Sequence, residues 1–253
     1  MKPAEPLRII RISDGNVREV DDIVATEKRL RIKVNGEEII KLFCSPVMIR
    51  ELVVGFFMTE GIIKGGFCAE RISIEYGEEI VVDVPAEGEV SLEGSTITSG
   101  CVGGITFDKG NPEEEVKPGP YLSSEQLREL FRKFQTASGL YSQTGCIHSA
   151  AVSNGRDIIV LAEDIGRHNA VDKAIGYCLL ENIGLDDKIM LVSGRLSSEM
   201  ASKCSRWAIP IVISRTAPTE RAVRLAKRRG ITMIGFMRGA RFNIYSRPER
   251  ILS

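Results

Sequence analysis

Polar and apolar residues alternate along residues 29–40, on both sides of Asn35 and Gly36. This pattern predicts a β-hairpin with a type I′ turn, because both central positions of that turn need a residue that tolerates positive φ. The apolar run after Pro46 has helical spacing and stops near Gly61, which predicts a helix. Two further strands are predicted at residues 71–76 and 80–84. The first 112 residues are therefore expected to be rich in strands.

A polar stretch that contains proline and glycine, residues 109–120, predicts a linker. After it the hydrophobic period becomes helical, and Ser123 or Ser124 is expected to cap a helix. The apolar stripe of that helix consists of Leu127, Leu130, Phe131 and Phe134.

Short apolar runs then alternate with amphipathic segments. A hairpin is predicted at residues 150–153 and 158–162, helices at 167–181, 197–207 and 218–229, and strands at 188–192, 209–214 and 231–236. Apolar strands that alternate with helices predict a parallel sheet. We therefore expect an α/β protein with two domains, a smaller strand-rich α+β domain at 1–118 and an α/β domain with a parallel sheet at 119–253.

Composition places the chain among ordinary globular proteins, with 43% hydrophobic and 27% charged residues among 253. No apolar run approaches the roughly 18 residues of a membrane span, so no membrane association is expected. Six scattered cysteines without a CxxC pair indicate reduced thiols and a cytoplasmic location.

Positive charge is concentrated at one end of a chain whose net charge is zero. Residues 195–253 hold 11 Arg and 2 Lys against three acidic residues. Arginine bias points to phosphate or carboxylate recognition, because the planar guanidinium matches those groups. For the run at 221–229 a solvated helix face is the preferred interpretation.

Three predicted strand ends carry hydroxyls, flexible glycines or arginines. Ligands bind beyond the carboxyl ends of parallel strands, so these loops predict a site for a phosphorylated or nucleotide-like ligand. Simple helix capping is the alternative for any single hydroxyl. No GxGxxG or GxxxxGK[ST] motif is present, which argues against dinucleotide dehydrogenases and P-loop enzymes. The loop residues are Ser193, Gly194 and Arg195; Ser214, Arg215 and Thr216; and Phe236, Met237, Arg238, Gly239, Ala240 and Arg241.

Both histidines of the chain lie in dense polar motifs. EDIGRHNAVDK, residues 163–173, contains Arg167 and His168, and its aspartates can orient His168 or pair with Arg167 and Lys173. TGCIHSA, residues 144–150, contains His148. A place in the site and a structural role are equally supported for these histidines. No metal site is expected, because neither motif supplies a full ligand set and the HxE and PCxxC signature of zinc deaminases is absent.

Cys101 lies between glycines in TITSGCVGG, residues 96–104. Glycines offer no side chains for packing and leave the sulfur accessible, so Cys101 is predicted to be a reactive thiol. The other five cysteines have apolar or helical neighbours and are interpreted as small hydrophobic residues.

Together these motifs resemble those of the formate dehydrogenase accessory sulfurtransferases. They occur in the order of that family and span residues 50–245. The resemblance rests on TEGII, the Gly-Cys-Gly loop, TGCIHSA, EDIGRHNAVDKAIG, SGRLSSEM, SRTAPT and GFMRGARFNIY.

The resemblance implies a sulfur carrier, a sulfurtransferase that accepts a persulfide from a cysteine desulfurase on Cys101. The recipient is molybdenum (or tungsten) bis-molybdopterin guanine dinucleotide, bound as cargo and destined for the catalytic subunit of formate dehydrogenase. The segment 236–241 is implied in binding this cofactor. A cytidine-deaminase-like α/β domain without zinc, and a homodimer, are also implied.

One departure concerns the second cysteine of the CxxC loop that many members carry, since Gly104 occupies that position here. Direct delivery from Cys101 is one alternative, and a molybdenum-cofactor-binding chaperone that carries no sulfur is another. A zinc hydrolase on the same scaffold is a third hypothesis. Nucleic-acid binding by the basic segment is not expected, because aromatic interleaving and reader motifs are absent.

Overall fold

The computed structural model describes residues 1–64, 66–90, 95–97, 105–107, 114–117 and 119–252. Within them, buried apolar side chains form one core in the first 90 residues and two more on the opposite faces of a six-stranded sheet. None of the described helices is long and apolar enough to cross a membrane.

The first core lies under a four-stranded sheet covered by one helix, α1 (Ile49–Glu60). The hairpin predicted around Asn35 and Gly36 is confirmed, and their φ angles of 50° and 83° are the positive pair that a type I′ turn requires. The sheet runs β4–β3–β7–β6, with β3 and β7 parallel. Its strands are β3 (Lys28–Val34), β4 (Glu37–Cys44), β6 (Ser73–Tyr76) and β7 (Ile80–Val84).

The predicted helix after Pro46 forms, but it begins later than the pattern suggests. Met48 has a left-handed φ of 53°, so residues before Ile49 turn instead of joining the helix. Gly61, also left-handed, ends the helix, and its N–H donates to Phe57 O.

Several two-stranded pairs surround these elements. A long hairpin of β1 (Ala4–Ser13) and β2 (Asn16–Ala25) precedes the first core and was not predicted. The others pair β5 (Ile63–Lys64) with β8 (Glu89–Val90), β9 (Ser95–Ile97) with β10 (Ile105–Phe107), and β11 (Leu122–Ser123) with β18 (Ile251–Leu252). Two 3₁₀ turns, Ala69–Arg71 and Pro248–Arg250, complete the chain.

The second half folds around a mixed sheet of order β13–β12–β14–β15–β16–β17. The strands are β12 (His148–Ser153), β13 (Ile158–Asp164), β14 (Ile189–Val192), β15 (Ile211–Ser214), β16 (Thr232–Arg238) and β17 (Arg241–Ser246). The helices are α2 (Ser124–Ala137), α3 (Gly139–Thr144), α4 (Arg167–Leu180), α5 (Ser198–Arg206) and α6 (Glu220–Arg229). Helix α2 covers one face, and α4, α5 and α6 cover the other.

The predicted parallel arrangement is confirmed for β14, β15 and β16, and the predicted hairpin is confirmed as β12 and β13. β12, β13 and β17 are antiparallel to their neighbours, because short turns join β12 to β13 and β16 to β17. A short turn joins antiparallel strands, whereas two parallel neighbours need a crossover connection of a dozen or more residues.

Ser123 caps α2 as predicted, in a reciprocal capping box. Its hydroxyl accepts from Gln126 N–H at 3.1 Å, and the Gln126 side chain accepts from Ser123 N–H at 2.8 Å. The predicted apolar stripe of α2 is buried against the sheet, which fixes the helix over the strand ends.

Helices α1 and α4 join the two halves with their backbones in direct contact. A Cβ added at Gly55 would overlap the carbonyl oxygen of Asp172, and one added at Gly176 would overlap that of Glu51. Glycine is therefore required at both positions, and the two helices approach as closely as backbones can. The domain boundary near residue 118 stays a prediction.

Candidate functional site

A cavity of about 600 Å³ opens at the carboxyl ends of β14 and β15. This is the edge of the sheet where the sequence predicts a site, and the volume lies in the range of small-molecule sites. Five of the predicted site residues line it: His148, Ser193, Arg215, Thr216 and Arg238. Residues from the separate predicted strand ends therefore line one cavity.

Hydrogen bonds hold the first two loops in place. Ser193 Oγ accepts from Ser149 N–H at 2.9 Å and lies 3.4 Å from Nδ1 of His148. Ser214 Oγ donates to Gly194 O at 2.7 Å and accepts from Thr216 N–H at 2.9 Å. The cavity wall is thus ordered by the protein itself, before any ligand contributes contacts.

Gly194 allows three motifs to meet. A Cβ at this position would lie 3.2 Å from Arg167 Cβ and 3.4 Å from His148 Nδ1, closer than side chains ordinarily pack. The glycine therefore lets the loop after β14 pack against the first turn of α4 and the start of β12.

The third predicted loop is a β-hairpin turn. Phe236 has a φ of 53°, and its N–H donates to Thr216 O at 3.0 Å, which ties this strand to the second loop. Gly239 turns the chain with a φ of 55°. Arg238 lines the cavity, whereas Met237 is only 1% exposed and packs in the core beneath α2.

The remaining members of the predicted loops lie away from the cavity wall. Arg195 is exposed and does not line the cavity, although its charge contributes to the lowered pKa of His148. Ala240 and Arg241 are exposed at the hairpin turn. Successive side chains of an extended segment point to opposite sides, so only some residues of each loop face the cavity. Sequence alone does not assign that direction when the turn type is unknown.

The two histidines differ in environment. His148 is half-buried on the cavity wall, and its pKa is lowered by burial and by the positive charge of Arg167. His168 is only 8% exposed, and burial, followed by the charges of Lys203 and Arg167, lowers its pKa to about 3. His168 is therefore neutral at pH 7, and its Nε2 has no hydrogen-bond partner among the described residues.

Carboxylates and ammonium groups from α1, α4, α5 and β13 form what we call the buried ion cluster: Glu60, Asp164, Asp172, Lys173 and Lys203. Lys203 Nζ lies 2.7 Å from a Glu60 oxygen and 2.6 Å from an Asp172 oxygen. Lys173 Nζ lies 2.6 Å from an Asp164 oxygen, with both side chains fully buried.

The ion pairs of the buried ion cluster show how the charged residues of the motif at 163–173 are paired. The predicted pairing of its aspartates with Lys173 is confirmed for Asp164. Asp172 pairs instead with Lys203, whose Nζ donates to both oxygens of that carboxylate, at 2.6 and 2.7 Å. Lys203 lies 31 residues further along the chain, so the local sequence gave no indication of the partner.

Aromatic side chains on the cavity wall were not predicted as site residues. Phe131 and Phe134 come from the stripe of α2, and Tyr141 comes from α3. The stripe was interpreted as core alone, and both phenylalanines do pack in the core while also bordering the cavity. Cys146, between α3 and β12, was interpreted as a small hydrophobic residue but is exposed and lines the cavity.

The predicted catalytic residue, Cys101, and the neighbouring Gly104 lie outside the described residues. Among the described residues, no group of three or more His, Cys, Asp or Glu side chains is arranged to hold a metal ion.

Comparisons with known proteins agree with the motifs. The model of the FdhD/NarQ family matches residues 25–252. The sulfur carrier protein FdhD of Bacillus licheniformis is 37% identical over 251 residues, covering 96% of this chain and 95% of that protein. The sulfur carrier protein FdhD of Staphylococcus aureus is 36% identical over 252 residues, with 96% and 95% covered.

A solved structure extends this similarity to the fold. The crystal structure of a protein described as a formate dehydrogenase accessory protein, from Desulfotalea psychrophila, matches with a TM-score of 0.79 and 30% identity. The match covers 99% of this chain and 100% of that one. The resemblance seen in the motifs is confirmed, and the chain belongs to the FdhD/NarQ family.

Proposed function

We propose that this protein is a sulfur carrier that takes persulfide sulfur from a cysteine desulfurase onto Cys101. It passes the sulfur to molybdenum (or tungsten) bis-molybdopterin guanine dinucleotide, the cofactor of formate dehydrogenase. Near full-length similarity to proteins named sulfur carriers supports the first part. The observation that carries the second part is the arginine-bearing cavity at the strand ends.

The cavity has the chemistry that a nucleotide needs. Arg215 and Arg238 are exposed and supply guanidinium groups for a pyrophosphate, while Ser193 and Thr216 supply hydroxyls. Tyr141, with its phenol ring exposed, supplies an aromatic face for a base. We assign Arg215 and Arg238 to the phosphates and the aromatic wall to the base.

The size of the cavity bears on stoichiometry. A volume of about 600 Å³ suits one guanine nucleotide, and the cofactor carries two. A homodimer supplies two such cavities, which is why we include a two-chain assembly in the proposal. We place this assembly in the cytoplasm, with the catalytic subunit of formate dehydrogenase as the recipient of the loaded cofactor.

The acceptance step is a thiol exchange. The Cys101 thiolate attacks the terminal sulfur of the donor's persulfide, one S–S bond forms as another breaks, and the donor leaves as a thiolate. No net oxidation occurs, so the step needs no further reagent. On this chemistry the protein acts as a sulfurtransferase.

The C-terminal half carries the proposed cofactor site, and we propose that it is deaminase-like in layout. The hairpin of β12 and β13 followed by the parallel strands β14, β15 and β16 supports this assignment. The site would use the scaffold without the zinc of the deaminases.

The test is to incubate the reduced protein with a cysteine desulfurase and cysteine, and to map sulfur adducts by mass spectrometry. One extra sulfur on the Cys101 peptide, lost in Cys101→Ser and kept in Cys178→Ser, is expected. Cys178 is a matched control because it is buried and away from the cavity. Cofactor affinity should be equal in wild type and Cys101→Ser.

Adducts that are absent, or spread evenly over the six cysteines, would contradict sulfur carriage. The protein would then be a molybdenum-cofactor-binding chaperone, and the arginine-lined cavity would be its whole active surface. Guanine-nucleotide binding that is unaffected by oxidation of Cys101 would accompany that outcome.

A further inference from the structure

The cavity contains a thiol of its own. Cys146 is exposed and lines the cavity together with His148 and the exposed arginines Arg215 and Arg238. A nucleophilic sulfur, an imidazole and two guanidinium groups therefore face one volume of about 600 Å³. These are the residue types that attract a sulfur-bearing anion and react with it.

The chain holds Cys146 in place from both sides. Gly145 has a left-handed φ of 65°, and its N–H donates to Tyr141 O at 2.8 Å, which ends α3. Cys146 N–H donates to Thr144 Oγ1 at 3.3 Å, and the next residue, Ile147, is buried. The backbone that carries Cys146 is consequently held in place at the edge of the cavity.

Three of the other described cysteines are unsuited to nucleophilic chemistry. Burial raises the pKa of Cys44 to about 12, of Cys178 to about 11 and of Cys204 to about 12. A buried thiol with such a pKa forms almost no thiolate at pH 7.

Cys68 is exposed like Cys146, but its surroundings differ. Its Sγ lies 2.9 Å from a Glu70 carboxylate oxygen, and it borders a separate groove in the first half of the chain. A carboxylate repels an approaching anion, whereas the arginines of the cavity attract one. Cys68 therefore serves as a matched control for Cys146.

We propose that Cys146 is a second sulfur-accepting residue, which receives sulfane sulfur inside the cavity that holds the cofactor. This rests on the proposed function for the meaning of the cavity. In the step, Cys146 as thiolate attacks the terminal sulfur of a persulfide R–S–SH. One S–S bond forms as another breaks, and the leaving R–S⁻ takes up the proton that Cys146 released, so nothing is oxidised overall.

The test uses sodium disulfide as the sulfur source, which supplies the anion HSS⁻ and releases HS⁻ on transfer. Wild type, Cys101→Ser, Cys146→Ser and Cys68→Ser are treated for equal times, alkylated and mapped by peptide mass spectrometry. We expect a persulfide on the Cys146 peptide in wild type and in Cys101→Ser, formed about tenfold faster than on the Cys68 peptide. It should be lost in Cys146→Ser and kept in Cys68→Ser.

The outcomes separate the inference from the proposed function. A persulfide on Cys101 without one on Cys146 overturns the inference and leaves the carrier role intact. A persulfide on Cys146 alone supports the inference and contradicts the role of Cys101. Equal labelling of Cys146 and Cys68 overturns the inference, because it would reflect exposure only.

A second variant tests whether the cavity charges matter. Arg215→Gln should slow persulfide formation at Cys146 several-fold and leave the rate at Cys68 unchanged, since Cys146 lines the same cavity as Arg215 and Cys68 borders a different groove. An unchanged rate at Cys146 would show that the thiol does not act with the cavity.

Discussion

The charged side chains of the cavity and those of the buried ion cluster differ in whether they are paired. In the buried ion cluster, each ammonium group lies within 2.7 Å of a carboxylate oxygen. In the cavity, Arg215 and Arg238 are exposed and form no ion pair with any residue in the described part of the chain. Paired charges inside the protein connect its two halves, whereas unpaired charges at the surface remain for a ligand.

The largest expected effect is on the buried side. Lys203→Met leaves Glu60 and Asp172 buried without their counter-ion, and removal of one partner of a buried pair costs about 3–5 kcal/mol. We expect that loss in the free energy of unfolding, measured by urea titration at pH 7. Lys133→Met, which removes a partly exposed pair with Asp157, is the control and should change little. Equal effects of the two variants would contradict the distinction between the regions.

An intermediate effect is expected from pH, because His168 is buried near the positive charges of Lys203 and Arg167. Its pKa is about 3 in the fold against an ordinary 6.5. Below pH 6.5 the unfolded chain binds a proton that the folded chain does not bind until about pH 3. The contribution to stability is therefore complete above pH 6.5 and falls by about 1.4 kcal/mol for each pH unit below it.

The measurement compares wild type with His168→Gln, which cannot titrate. Between pH 7 and pH 5 the wild type should lose about 2 kcal/mol more unfolding free energy than the variant. If the free energy of unfolding of the two proteins changed equally with pH, His168 would not be held neutral in the folded protein and would instead be accessible to solvent and ligand.

The smallest expected effect is on the cavity side and concerns binding. Arg238→Gln removes one guanidinium from the cavity and should weaken binding of guanosine diphosphate about tenfold, or about 1.4 kcal/mol. Stability should not change, because the side chain is exposed. Arg228→Gln, on the exposed face of α6, should affect neither quantity. Calorimetric titration gives the affinity, and a loss of stability in Arg238→Gln would contradict the comparison.

Local signals predicted the elements of the fold well. The Asn35–Gly36 turn and the capping at Ser123 were identified because each depends on residues within a few positions of one another. The hairpin of β12 and β13 was predicted as well, whereas the outer strand β17 was not predicted. Antiparallel β17 follows a tight turn at Gly239, and a segment of alternating polarity says nothing about which neighbour it will pair with.

The site shows the same limit. Ser193 and Arg215 were predicted to lie at the same edge of the sheet, and both line the cavity. The prediction succeeded because the direction of the chain decides which edge of a parallel sheet holds the carboxyl ends of its strands. The partners of Asp172 come instead from α1 and α5, which are distant in sequence. Contacts of this kind depend on how helices pack, and one sequence carries no local signal for them.

The contact between α1 and α4 has a consequence for engineering and for recombination among relatives. Because Gly55 and Gly176 have no Cβ, the backbones of α1 and α4 pack directly against each other, and any larger side chain at either position would push the helices apart. A chimera that takes its first half from another family member must therefore keep glycine at both positions, or α1 and α4 will not pack together.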